Sequence, residues 1–280
     1  MSCVSLRWGS AFKQSRFDTI VTAFLNSVVT PLISRVRKVG NKIYEHAFPI
    51  YRLCYRTFKA YADRAERQVL KSVLSPGAVV VDAGANIGIY SQFLSHCVGS
   101  AGVVHSFEPS PENFKHLQSA TRNCANVRLS LVGVGERSER SKLYISDQLN
   151  VDHRAYLPEG NSRRIIDIDI VALDDYFKPG QRVDLIKMDI QGYELHALRG
   201  ATRVLTDNPA AKLLLEFWPY GLKQAGANWL ELIDALESKN MAICEVTNRG
   251  LVPFRSESVS ESPKWYVNLF VSRRHVPAGC

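Results

Sequence analysis

The chain has no long, clean apolar run. Its most apolar early stretch, Phe17 to Ile33, is interrupted by Asp18, Asn26 and Pro31 and falls short of the ~20 apolar residues a membrane span needs. That stretch also lacks a compact apolar core followed by a small-residue cleavage site, so neither a transmembrane helix nor a signal peptide is expected. Cysteine is sparse and scattered: Cys3, Cys54, Cys97, Cys124, Cys244 and Cys280 form no C-x-x-C pair and have no histidine at metal spacing. Reduced thiols in a cytoplasmic protein are expected, and no metal is called for, although carboxylates alone can hold Mg²⁺. The dinucleotide signature G-x-G-x-x-G is missing as well, which argues against a pyrophosphate ligand.

Positive charge is lacking where an enzyme acting on nucleic acid needs it. The net charge is +8, but residues 1–71 hold 13 Lys and Arg against 4 Asp and Glu, and the remainder holds 22 against 23. The basic excess therefore precedes the folded core. It suits a peripheral contact with the inner face of an anionic membrane through residues 1–60, where Arg35, Arg37, Lys38 and Lys42 follow the apolar stretch, or a pair of solvated helices covering the sheet. No nucleic-acid partner is expected. With 280 residues, 46% hydrophobic and 22% charged, the composition is that of one large α/β domain with additions.

The rest of the chain is organised around Val79 to Tyr90, VVVDAGANIGIY. Three β-branched valines after Ser75-Pro76-Gly77 read as a strand buried on both faces. Gly84 and Gly88 then bracket Asn86, and the apolar spacing of Ile87, Tyr90, Phe93 and Leu94 predicts a helix from about Gly88. Strand, glycine turn and helix start together make a nucleotide-type site. A second strand, Val103 to Phe107, ends in Glu108-Pro109, 26 residues after Asp82, which is one βαβ step. An acid at the end of that strand can accept both hydroxyl protons of a ribose. A nucleoside carrying an amino acid fits this turn.

Further along, a helix is expected from Pro111 and a third strand over Val127 to Val132. Gly133 follows, either passing beneath an adenine or serving as a turn glycine. Leu143 to Ile145 and Ile165 to Val171 read as two added strands flanking a polar loop, Ser146 to Arg164, which contains His153, a candidate base. Asp167 and Asp169 alternate with isoleucines, as on a wet strand face. Val183 to Met188 is expected to be a strand closing on Asp189, followed by one helix through Leu195, Leu198 and Val204, whose dipole Glu194 complements. Lys212 to Glu216 is the next strand. Glu216 needs a donor, with Lys187, a backbone amide or substrate hydroxyls as the options. Trp218 and Tyr220 either stack on a sugar or pack under a helix. Met241 to Val246 and Lys264 to Val271 give the antiparallel end of the sheet.

Four segments, VVVDAGANIGIYS, HSFEPSPENFKHL, VDLIKMDIQGYELHALRGA and KLLLEFWP, in this order and spacing, resemble the FkbM family of S-adenosyl-L-methionine-dependent methyltransferases. The resemblance runs from about Val69 to Gly221. It implies a Rossmann-like class I methyltransferase sheet of seven strands, mostly parallel with an antiparallel last strand and helices on both faces. It also implies O-methylation of a hydroxyl on a sugar, glycolipid or secondary metabolite. Gln191 stands where that family frequently has a glutamate. On this reading residues 1–60 are a helical extension, 61–272 the methyltransferase domain and 273–280 a tail. Asp82, Gly84, Ala85, Asn86 and Gly88 surround the amino-acid end of the cofactor, Glu108 and Pro109 its ribose, and Gly133 its adenine. Asp189 orients or deprotonates the acceptor, with Glu216 and His153 as further catalytic candidates. A nicotinamide-dependent oxidoreductase and a non-catalytic membrane-associated scaffold on the same fold are the alternatives.

Overall fold

The computed structural model describes residues 47–146, 153–156 and 163–273. Most of the expected extension, much of the polar loop and the tail therefore lie outside the described residues. In chain order the strands are β1 (Val79–Ala83), β2 (Val103–Phe107), β3 (Val127–Ser130), β4 (Gly133–Val134), β5 (Glu139–Ile145) and β6 (Arg164–Val171). They continue with β7 (Leu185–Met188), β8 (Lys212–Phe217), β9 (Met241–Thr247), β10 (Gly250–Pro253) and β11 (Val267–Arg273). The helices used below are α1 (Phe48–Ala62), α2 (Arg64–Val73), α3 (Ile89–Val98) and α4 (Pro111–Thr121).

Two compact units divide between Tyr55 and Arg56, within α1. In the first, the described residues are the opening turns of that helix, where Phe48, Tyr51 and Tyr55 stack in succession at 6.2 and 5.5 Å. Both sheets belong to the second. The main sheet has the order β10-β9-β11-β8-β7-β1-β2-β3. Strands β3, β2, β1, β7 and β8 run parallel, and β11 is antiparallel to both β8 and β9. This is the expected Rossmann-like α/β sheet, with one strand more than seven. The extra strand, β10, turns back on β9 at Asn248-Arg249, hidden in a stretch whose turn residues masked a four-residue edge strand.

Residues of β1 alternate between two cores because successive side chains leave opposite faces of a strand. Val80 joins Leu70, Leu94, Val98, Val104 and Leu214 on one face. Val81 and Ala83 join Phe107, Ile186, Met188, Leu213 and Leu215 on the other. Each fully buried aliphatic side chain contributes about 1.5–3 kcal/mol, so helices must cover both faces of this sheet. Leu70 shares this core with Val80, so α2 covers this face of the sheet, next to β9 and β10.

Three elements depart from expectation. The third strand ends at Ser130, and Gly133-Val134 leaves to pair with β6 in a second sheet of order β4-β6-β5. The single helix through Leu195 and Val204 is two helices, Glu194–Arg199 and Thr202–Asp207. Between them stands Gly200, where a Cβ would lie 2.0 Å from the Gly135 carbonyl oxygen. The helix expected over 61–74 begins at Arg64, after a break at Asp63 that separates it from α1.

Candidate active site

The glycine turn lies at the carboxyl end of β1. Gly84 takes φ +80°, and a Cβ there would meet the Asp189 carbonyl oxygen at 2.0 Å, so glycine lets this turn lie against the one after β7. Gly88 takes φ +84°, and a Cβ would press on Leu117 and Ala120 of α4 at 2.9 Å. The amides of Gly84 and Ala85 both donate to the Phe107 carbonyl, at 3.0 and 2.9 Å. Glu108 completes the link to β2. Its Oε2 accepts from the Asn86 amide at 2.8 Å and its Oε1 from the Ser110 amide at 2.9 Å, with Pro109 between them.

Asp82 does not face the turn as an open carboxylate. It is fully buried, its Oδ2 accepts from Ser91 Oγ at 2.7 Å, and its Oδ1 lies 3.5 Å from Lys187 Nζ without a hydrogen bond. Asn86 Oδ1 is likewise buried without a hydrogen-bond partner. The unsatisfied atoms of this turn are therefore acceptors, which call for a donor on the ligand.

The second centre follows β7. Asp189 takes its place through its amide, which donates to the Ala83 carbonyl at 3.1 Å. Gln191, at φ +58°, donates from one Nε2 to Asp189 Oδ1 at 3.3 Å and to Glu216 Oε2 at 3.1 Å. Spacing alone did not single out this bridge. The sequence cue was Gln191 itself, which stands at a frequent glutamate. Lys187, one of the donors expected for Glu216, makes no ion pair with it among the described residues; the Gln191 amide is the donor. The buried ammonium instead lies between Asp82, at 3.5 Å, and Asp189, at 3.8 Å, and over the Tyr90 ring at 4.6 Å. Glu194, expected at a helix start as a dipole partner, is fully buried, and its Oε1 accepts from the Ile190 amide at 3.0 Å.

These surroundings divide the carboxyls into two kinds. Burial pushes Asp189 up, but the charges of Lys187 and Lys59 and the hydrogen bonds from Gln191 and Lys187 outweigh it and hold the group below its ordinary value. Burial, then the charges of Asp189 and Glu194, push Glu216 well above the carboxylate range. Across the Gln191 amide the two carboxyls are therefore pushed in opposite directions. Burial also pushes Glu108 and Glu194 up to about 7 in each case, despite the amides that pull them down.

Stability should follow. A carboxyl whose folded value is raised stabilises the fold below its unfolded value, and that contribution is lost as pH rises through the folded value. Glu108 and Glu194 place this loss between 4.5 and about 7. His105, which burial depresses, acts oppositely in part of the same window. Glu66 and Glu216 are raised too, so four carboxyls stand against one imidazole and Tm is expected to fall between about pH 5 and pH 7. Glu194→Gln should flatten that fall in a thermal-denaturation series, and an unchanged slope would deny Glu194 its share.

The remaining candidates are spread around this pair of turns. Gly133 pairs with Ile170, and a Cβ on it would lie 3.8 Å from Pro109, so it stands beside the Glu108 loop. The Nδ1 of His153 faces the Ser146 amide at 3.3 Å. The same segment reaches the acidic turn through Tyr156, whose hydroxyl donates to the Gln191 carbonyl at 2.8 Å. Trp218 is buried, its indole N–H donates to the Pro263 carbonyl at 3.2 Å, and Arg154 lies 4.9 Å over its ring. It packs under its helix and offers no open sugar platform. Asp167 and Asp169 are exposed, and no metal-holding group of three or more His, Cys, Asp or Glu occurs among the described residues. No helix among the described residues is long and apolar enough to cross a membrane.

A family model described as "Methyltransferase FkbM domain" matches residues 82–240. "Methyltransferase 1" of Beauveria bassiana (strain ARSEF 2860) is 27% identical over 143 residues, 43% of this chain and 57% of that protein. The chain thus spans little over half the length of this curated relative. Among solved structures, an rRNA methylase from Streptococcus thermophilus is 13% identical, with 74% of this chain and 93% of that chain covered at a TM-score of 0.44. A SAM dependent methyltransferase from Aquifex aeolicus is 19% identical, with 73% and 87% covered at a TM-score of 0.38.

Proposed function

The chain belongs to the methyltransferase FkbM domain family, and on that premise we propose that it transfers a methyl group from S-adenosyl-L-methionine to a hydroxyl oxygen of a sugar, glycan or related small acceptor. The observation that carries the reading is the polarity of the glycine turn. Its buried atoms without a hydrogen bond are both acceptors, Asn86 Oδ1 and Asp82 Oδ1, the latter facing the Lys187 ammonium at 3.5 Å. They suit the α-ammonium of an amino-acid nucleoside and oppose a pyrophosphate, which would need donors there. Glu108 suits a ribose hydroxyl, because it is a carboxyl acceptor that keeps lone-pair capacity beyond the Asn86 and Ser110 amides and the Asn113 side chain. The residues present therefore fit the cofactor.

When bound, S-adenosyl-L-methionine supplies an electrophilic methyl group on a positively charged sulfonium, whose sulfur leaves as the neutral thioether of S-adenosylhomocysteine. The protein then has to align the acceptor oxygen and take up one proton. Asp189, ionised and about one-third exposed at 35%, is available to receive the acceptor hydroxyl. With its basicity lowered, it orients the oxygen and accepts the proton late, as the new carbon–oxygen bond forms. Glu216, pushed toward its neutral form, accepts the Gln191 amide through Oε2. Gln191 holds the two at fixed spacing.

Titration calorimetry with S-adenosylhomocysteine beside NAD tests the reading. Binding of the first alone is expected, weakened about ten- to hundredfold in Glu108→Ala, which removes the carboxyl acceptor at the end of β2 together with the anchor of the Asn86 amide. Binding of NAD would favour an oxidoreductase. Binding of neither would return the chain to a scaffold role.

A further inference from the structure

Helices α2 and α3 enclose an open cavity of about 770 Å³ on one side of the sheet. Arg64, Arg67, Lys71 and His96 line it, with Phe93 as its apolar wall and Ala60 at the end of α1. The cations come from a single helix face, since 64, 67 and 71 are three and four residues apart. Among the described residues none of these four groups has a carboxylate within ion-pairing distance. Arg67 lies over the rings of Tyr90 and Phe93 at 5.5 and 4.9 Å, Lys71 over Phe93 at 6.0 Å and Arg64 over Tyr61 at 4.9 Å. The Nε and Nη2 of Arg67 are buried without any hydrogen-bond acceptor. Beside the cavity, Phe58 and Tyr61 are 62% and 71% exposed.

We propose that this groove docks an anionic lipid surface, with a phosphate headgroup between Arg64, Arg67 and Lys71 and with Phe58 and Tyr61 entering the headgroup layer. Charge complementarity identifies the occupant. Several cations without acids want a phosphate, and large aromatic side chains exposed next to them want the apolar boundary that a membrane offers and a free phosphate does not. The site is separate from the Asp189 turn and does not rest on methyl transfer.

The test is pelleting of the full chain with vesicles of phosphatidylcholine alone and with about 30% phosphatidylglycerol added. Binding is expected only to the second, weakened at least about tenfold in the double variant Arg64→Gln/Lys71→Gln, whose side chains are removable without emptying a core. Phe58→Ser/Tyr61→Ser should weaken it independently, and unchanged melting temperatures would show that both variants fold. Undiminished binding by the Arg64/Lys71 variant would overturn the proposal, because the contact would then rest on other basic residues. Glycerol phosphate binding without vesicle binding would also overturn it, as would displacement from vesicles by an equimolar short RNA.

Discussion

Replacing Asp189 by Asn is expected to cut kcat by about 10²- to 10⁴-fold, the usual range for a positioned acid–base group, while S-adenosylhomocysteine binds as it does to the wild type. The substitution keeps the shape of the side chain and the backbone contact to Ala83, so the glycine turn behind it should not move. It removes the charge proposed to receive the acceptor hydroxyl. It also removes one of the two carboxylates that hold Lys187, leaving that ammonium with Asp82. A second readout follows from Glu216, which the Asp189 charge helps to keep protonated. In the variant, residual activity should change its pH dependence, because Glu216 ionises at lower pH once that neighbour is neutral. Steady-state kinetics over a pH series, with calorimetry beside them, measure both effects. Unchanged kcat and unchanged affinity together would remove Asp189 from the reaction.

The parts of this site that the sequence discloses are those written in local pattern. Three valines, two glycines and an acid 26 residues on specify a strand, a turn and a second strand, and those elements stand where the pattern puts them. Parallel pairing of buried strands leaves continuous apolar runs, and helix starts leave proline and serine, as at Ser110-Pro111. Side-chain partnership across elements leaves no such mark. Lys187 reads as a partner for Glu216 until β1 and β7 pair and put Asp82 opposite it. Glu194 reads as a helix-start acid because nothing local announces that it will be buried. The break at Gly200 depends on Gly135, 65 positions earlier, and only the folded chain brings those two backbones together. Gln191 is the middle case. As a departure from the family's usual glutamate it was visible, but its two acceptors come from different strand ends.

The glycine at position 84 should be the least replaceable residue of the turn, and Gly84→Ala is expected to cost about 3–5 kcal/mol and lower Tm by roughly 10 °C. Two effects add there. A left-handed φ of +80° strains any side chain by about 1–2 kcal/mol. The larger effect is steric: a Cβ would lie 2.0 Å from the Asp189 carbonyl oxygen and 2.9 Å from its carbonyl carbon, and that neighbour is backbone, which cannot swing aside as a side chain could. Gly77 separates the two effects. It has nearly the same φ, +85°, with nothing within 4 Å of its Cβ position. Gly77→Ala should therefore show the conformational strain alone, about 1–2 kcal/mol, in the same denaturant titration. If the two variants lost equal stability, the close approach of the cofactor turn to the Asp189 turn would not be what requires glycine. If Gly84→Ala loses several times more, it should lose activity too even where it stays folded, because the only way to admit the methyl group is to push Asp189 away from the turn it faces.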